Sequence, residues 1–332
     1  MSLLGSSIAV GLYDEATYKS TATVTAGIKG YFTDCSLVAT RNAVVSNTIS
    51  SDRSRSIPGA GNIDVSGNYA MEVAPQTVGF FLRHILGAPT TAGASAPYTH
   101  TFRPTTLPVG LIVEKNWVPA GITGKLEHFL GCRVNDATFD IPQEGAATLS
   151  LSLQGAKYAV AAAPLDAALA DPAPAGWFAP DVSIKIGGST SLLVKSANIK
   201  VMNNLATDRY ALGTVGERVD MPEGFADCTG SITVLVDATV FSAFIDKAVA
   251  RTDTTLEIIF TSGNGLGGSA GNESLSLKLD HALIDLASPP ITSPGGVEVS
   301  FTFNSFRSGA TDKGLVAVLL SPLALTTAAA YA

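Results

Sequence analysis

Several short stretches of the sequence have the letters of a reactive site. Gly267-Gly268-Ser269-Ala270-Gly271 fits the Gly-x-Ser-x-Gly nucleophile elbow. That elbow needs a strand before the serine and a helix after it, so that a sharp turn exposes the hydroxyl. Here LEIIF precedes and ESLSLKLD, a second strand, follows, so Ser269 reads as part of a hairpin loop. GNGLGG at 263–268 matches Gly-x-Gly-x-x-Gly in the same loop, but no helix N-terminus follows to meet a phosphate. His128 lies between Glu127 and Cys132 in a way that suggests zinc, yet no second ligand cluster at a recognised spacing accompanies it. His84, His100 and His281 are scattered, with His84 beside an apolar helical stripe. Cys35, Cys132 and Cys228 lie far apart with no Cys-x-x-Cys pair, the usage of a reducing compartment with buried thiols. Asn272-Glu273-Ser274 is a glycosylation sequon, without consequence where no signal peptide is read. No catalytic residue, cofactor or metal is expected.

The elements around these stretches are more informative. The chain has 332 residues, enough for two domains or one duplicated domain. Only 15% of them are charged, against about 25% in an average soluble protein. So few charges imply that much of the surface is hidden against other copies. Residues 1–163 carry 11 basic and 11 acidic side chains; residues 164–332 carry 10 and 17, the whole net charge of −7. Such a chain does not grip nucleic acid, which requires clustered Lys and Arg. Residues 315–332 are free of charge, but Pro322 interrupts them, so an apolar arm lying on a neighbouring subunit is expected in place of a membrane anchor.

The sequence repeats itself. GNIDVSG (61–67) and GFADCTG (224–230) share Gly-x-x-Asp-x-(Ser/Thr)-Gly, 163 positions apart. The spacing continues through an alternating strand, Tyr69, Met71 and Val73 against Ile232, Val234 and Val236. It continues again through a helical stripe, Val78, Phe81, Leu82 and Ile85 against Phe241, Phe244, Ile245 and Ala248. Pro75 and Gly87 bracket the first helix, and Asp237 suits the N-cap of the second. Upstream, Asn42 and Val44 meet Asn203 and Leu205 at a spacing of 161. Downstream, GAATLSLSLQG (145–155) resembles GGVEVSFTFNSF (295–306) at a spacing near 150, so the first copy holds an insertion, placed in a polar loop at 88–102. Strands are also read in TATVTAG (21–27), TLEIIFTSG (255–263) and SLSLKLD (274–280). The predicted fold is mainly β with minor α: two tandem β-sandwich or partial-barrel domains, each with one flanking α-helix. Domain 1 spans 1–158, an Ala/Pro-rich linker 159–180, and domain 2 with the apolar arm 181–332. Trp177 and Phe178 are expected to dock the linker.

Two polar loops at matching places look built for contacts between copies. Residues 39–60 hold Arg41, Arg53 and Arg55 with few acids, and residues 203–224 hold Asp208, Arg209 and Arg218. Arg55 and Arg218 are 163 apart, and both loops suit charge-assisted hydrogen bonds to neighbours. Reversing both charges is expected to impair assembly and spare folding.

The run ISSDRSRSIPGAGNIDVSGNYAMEVAPQTVGFFLRHILG, then YTHTFRPTTLPVGLIVEKNW, then CRVNDATFDIPQEGAATLSLSLQG resembles the major tail tube proteins of long-tailed bacteriophages in its order of elements. The resemblance covers most of 20–157 and, through the repeat, much of 183–306. It implies a structural virion protein, with no enzymatic activity, whose rings stack into a hollow tube for DNA. With the domain duplicated, three chains are expected per ring. Implied partners are other copies of the chain and tape measure, tail terminator and baseplate proteins, with DNA passing unbound and no membrane. The implied location is the virion tail, and the host cytoplasm during assembly. Ser150, Ser152, Glu298 and Ser300, on polar strand faces, are candidates for the lumen wall. The alternative is a virion surface or host-receptor-binding β-sandwich, which the 7% aromatic content and the lack of a Trp or Tyr cluster in the loops count against.

Overall fold

The structure, a computed structural model, describes residues 4–22, 24, 26–49, 53–191, 193–291, 295–309 and 314–324. It is mainly β. The first half contains β1 (Ala9–Glu15), β2 (Ile28–Gly30), β3 (Asp34–Cys35), β4 (Val38–Val44), β5 (Gly59–Glu72), the helix α1 (Pro75–Leu86), β6 (Thr90–Ala92), β7 (Tyr98–Phe102), β8 (Gly110–Asn116), β9 (Leu126–Ile141), β10 (Thr148–Gly155) and β11 (Lys157–Ala161). The second contains β12 (Val182–Ile186), β13 (Ser189–Ser191), β14 (Val194–Met202), β15 (Asp227–Leu235), α2 (Ala238–Val240), a π-helical turn (Phe241–Ile245), α3 (Asp246–Ala250), β16 (Thr254–Thr261), β17 (Ser274–Ile284), β18 (Glu298–Ser305) and β19 (Leu315–Ser321).

Alternation explains the main strands. Leu149, Leu151 and Leu153 of β10 are buried while Ser150 is exposed, and Val299, Phe301 and Phe303 of β18 are buried while Glu298, Ser300, Thr302 and Asn304 are exposed. Such strands put one face on the core and the other toward solvent. Antiparallel pairing runs without a break through β4, β5, β10, β9, β14, β15 and β18. The two halves therefore share one sheet, joined where β14 pairs with the C-terminal part of β9. Tyr69 sits opposite Leu151 and Ile232 opposite Phe301, so these pairings keep the spacings of 163 and 150.

Strand β9 serves two sheets. Its N-terminal part pairs with β8 and β11, its C-terminal part with β10 and β14. The change of direction falls at Gly131, where φ is +63° and a Cβ would sit 3.0 Å from both Ala156 and Tyr18, so glycine is required on two counts. Strand β17 divides likewise: its residues 274–279 lie between β16 and β19, and its residues 282–284 pair with β18.

Three expectations need correction. The insertion at 88–102 is not a polar loop: β6 and β7 form a hairpin, and β7 pairs with β19 of the second half. Residues 315–321 are not an arm but the buried strand β19, because an uncharged apolar run of that length fits between β17 and β7; residues 325–332 lie outside the described residues. TATVTAG forms no strand where it is described, and Val24 N–H instead closes a turn on Thr21 O. The segment 159–180 begins inside β11 and is pinned at its far end. Trp177 is buried, packs on Phe260 at 5.4 Å between ring centroids and donates Nε1–H to Ser262 Oγ at 2.7 Å, while its backbone bonds Val73 and Ala147. Phe178 remains half exposed.

The helices differ in their cover. Both faces of α1 are buried, since β9, β7 and β19 pack around it. In the second half Asp237 caps the helix by accepting from Val240 N–H at 2.7 Å, and Phe244 stacks on Phe301, but Phe241 is 46% and Val249 66% exposed.

Candidate assembly surfaces

The first surface is the outer face of the shared sheet. Alternation on β10, β9, β14, β15 and β18 places Ser150, Ser152, Thr138, Asp140, Asn198, Lys200, Ser231, Ser300 and Glu298 on the face opposite the core. Ser150, Ser152, Glu298 and Ser300 therefore lie on one continuous polar face. Its charges are few and partly paired, Lys200 with Asp136 at 3.6 Å and Lys195 with Glu298 at 2.8 Å.

The second surface is where the 203–224 loop crosses the first half. Asn203, buried, donates Nδ2–H to Ile85 O at the end of α1 and to Val134 O, satisfying a helix-terminal carbonyl. Arg218 is 5% exposed and donates to Thr207 O (2.6 Å), Gly155 O (2.5 Å), Val65 O (3.3 Å) and the Asp64 carboxylate. Lys19 reaches Arg218 O at 2.9 Å and Glu217 at 3.5 Å, and Arg133 pairs with Glu223 at 2.8 Å. Arg218 is thus spent within the chain, and a reversal there strikes the fold as well as any assembly. Asp208 is exposed, and Arg209 pairs with Asp220 on the surface.

The third surface is the first half's own loop. Arg41 is exposed but donates to Gly61 O (3.0 Å) and Val215 O (2.6 Å); Arg53 and Arg55 are exposed. Val44, Val45, Ile49 and Ile57 are also exposed. Among the described residues β4 pairs only with β5, so its other edge carries unpaired backbone groups. The structure brings Arg41 against the 203–224 loop and leaves Arg53 and Arg55 apart from it.

The reactive-looking residues are placed otherwise. Ser269 lies in the loop between β16 and β17, its Oγ accepting from Asn272 Nδ2 at 2.7 Å. His128 bonds the buried Glu114 at 2.8 Å; Glu114 also accepts from Tyr13 OH (3.2 Å) and Leu165 N–H (3.0 Å), which ties the segment after β11 to β1 and β8. Burial and the Glu114 carboxylate push the Tyr13 phenol upward. Burial raises the Cys35 and Cys132 thiols and lifts Cys228 to about 12, which keeps them protonated. Among the described residues no three His, Cys, Asp or Glu could hold a metal ion. Glu15, beneath Lys19, is raised to about 7 by burial, against hydrogen bonds from Gly131 and Lys19 N–H and the charges of Arg133 and Lys19. Glu114 was not singled out from sequence; Asp64 and Asn203 stood out there only as repeated positions, in Gly-x-x-Asp and against Asn42, with no contact assigned to either.

A β-rich chain with a continuous polar sheet face and side chains spent on holding loops across the sheet has the build of a structural subunit. The phage tail tube protein family matches residues 5–305, and the chain belongs to that family. Comparison with curated proteins returns no match. Membership implies a structural role in the tail tube and a place in the virion. No helix among the described residues is long and apolar enough to cross a membrane.

Proposed function

We propose that the chain is a major tail tube subunit of two tandem copies of one domain, and that it self-assembles into stacked rings of three chains with pseudo-sixfold symmetry. The rings form a hollow conduit for DNA ejection, and the chain acts without catalysis. The observation that carries this reading is the β9–β14 junction, where one half adds its sheet edge to the other and keeps the polar side chains on one face. Repeating that junction from chain to chain closes a sheet and removes its edges. Ser150, Ser152, Glu298 and Ser300 then face the lumen. A wall of hydroxyls, amides and a few carboxylates offers phosphate no counterion exchange, so DNA slides. The tube ends meet tape measure, tail terminator and baseplate proteins, and assembly takes place in the host cytoplasm. Negative-stain electron microscopy of the purified chain tests this. End-on views with three repeats of a two-lobed unit around a hole are expected; a discrete solid monomer at all concentrations overturns the reading.

A further inference from the structure

The contact that Arg218 makes inside the chain has a vacant counterpart. Val65, in the middle of β5, pairs with Gly155 where the β5–β10 ladder ends, and Cys228 pairs with Ser305 where the β15–β18 ladder ends, at the same spacings of 163 and 150. Asp64 precedes Val65 as Asp227 precedes Cys228. Arg218 fills the first place, bonding Asp64, Val65 O and Gly155 O. In the second place Asp227 is exposed and accepts from Asn204 Nδ2 at 2.8 Å, and among the described residues no arginine reaches it. The residue 163 positions before Arg218 is Arg55, exposed in the first half's loop.

The strand edges agree. Strand β14 uses both edges, on β15 and on residues 136–141 of β9. Its counterpart β4 uses one. The counterpart of 136–141 at the 150 spacing is 286–291, which forms no strand and whose Pro289 and Pro290 have no N–H to give a ladder, but Leu286 is 62% and Ile291 85% exposed beside a groove of about 500 Å³ that Val236, Phe241, Ile245 and Val297 also line. Charge favours the match, since the loop at 39–60 has three arginines and the second half carries the whole net −7.

We propose that the first half's hairpin of one chain docks on the second half of the next, with β4 lying along the groove at 286–291 and Arg55 bonding Asp227 and the Cys228 and Ser305 carbonyls. This rests on the ring reading above and names its chain-to-chain contact. The test uses the full chain. Arg55→Glu and Asp227→Arg, both at exposed positions, are expected to leave the melting of dilute protein unchanged and each raise the concentration needed for rings at least about tenfold. Arg55→Asp combined with Asp227→Arg is expected to restore assembly. The pair Arg55→Cys with Asp227→Cys is expected to give oxidised dimers and trimers on a non-reducing gel, which Arg55→Cys alone does not give. Rings that form undiminished in both single variants, single defects that the exchange fails to rescue, or rings without pair-specific cross-linking overturn this contact and leave the ring reading standing. Wild-type chains that never form rings overturn both.

Discussion

Replacing Arg218 by alanine measures what holds the second half's loop on the first. The guanidinium is almost fully buried and satisfies the Thr207, Val65 and Gly155 carbonyls as well as Asp64. Hydrogen bonds to a charged group contribute about 1.5–3 kcal/mol each, but removing the arginine also lifts its own desolvation cost. The side chain of Asp64 is 48% exposed and rehydrates, so its share is small. What remains is two or three carbonyls left short of a donor, a loss of about 3 kcal/mol. At about 2.1 cal/mol/K of unfolding entropy per residue, a chain of 332 residues melts about 4 °C lower. Circular dichroism melts below the assembly concentration read this directly, with Arg55→Ala as comparison, where a surface truncation changes stability by about 0.5 kcal/mol or less. Arg218→Ala melting within a degree of wild type, or Arg55→Ala melting equally low, refutes the assignment of Arg218 to the fold and Arg55 to the surface.

Glu15 gives a pH signature. Its pKa rises on folding from 4.5 to about 7 through burial, so the folded state holds a proton that the unfolded state has lost. Stability therefore falls as pH rises from 4.5 to about 7, by roughly 3 kcal/mol from this group, and is not regained above it. Urea titrations across that window should show the slope flatten in Glu15→Gln; an unchanged slope removes Glu15 as its source. Truncation after Lys313 deletes β19, which is buried between β17 and β7, so unfolded or aggregated chain is expected and not merely a defect in assembly; a soluble product with wild-type circular dichroism contradicts this. Trp177→Ala should cost about 3–5 kcal/mol through the lost packing on Phe260. Calorimetry reads that cost, and a melting point unchanged to within a degree dismisses the docking role of Trp177.

Much of the β architecture was legible because its strands alternate over half-buried faces. Leu149 to Leu153 and Val299 to Phe303 announce both their strand and its inward side. The helices were legible from stripes at helical spacing, though not the π-helical turn, which leaves no mark in that period. Edge register was harder. Asn42 and Asn203 match in letters at a spacing of 161, but Thr40 sits opposite Asp64 and Met202 opposite Asp227, a spacing of 162, because the β4–β5 register shifts between Arg41 and Ala43. A bulge adds a residue without changing composition. The β7–β19 pairing joins residues more than 200 positions apart, and nothing local specifies such a partner. Arg55 and Arg218 were read alike as contact residues. What separates them is burial, which depends on which half of the molecule the loop falls upon.

That difference bears on why a chain of this kind assembles. On the proposed tandem reading, apolar positions 163 apart have opposite fates: Val78 is buried and Phe241 half exposed, Leu86 is buried and Val249 exposed. The first half is covered because the second lends it β19 and the 203–224 loop; among the described residues the second receives no matching cover from the first. On that reading one junction is satisfied internally and one donor and one acceptor surface are left over. Their areas are apolar and their backbone edges unpaired, so leaving them in water costs free energy that the next copy removes. If each junction turns the sheet by the same angle, the number of chains in a closed ring is set by the angle at β9–β14, already fixed within the monomer. On the proposed reading, altering that internal junction changes the ring number, whereas altering the Arg55 loop changes only how readily the ring closes.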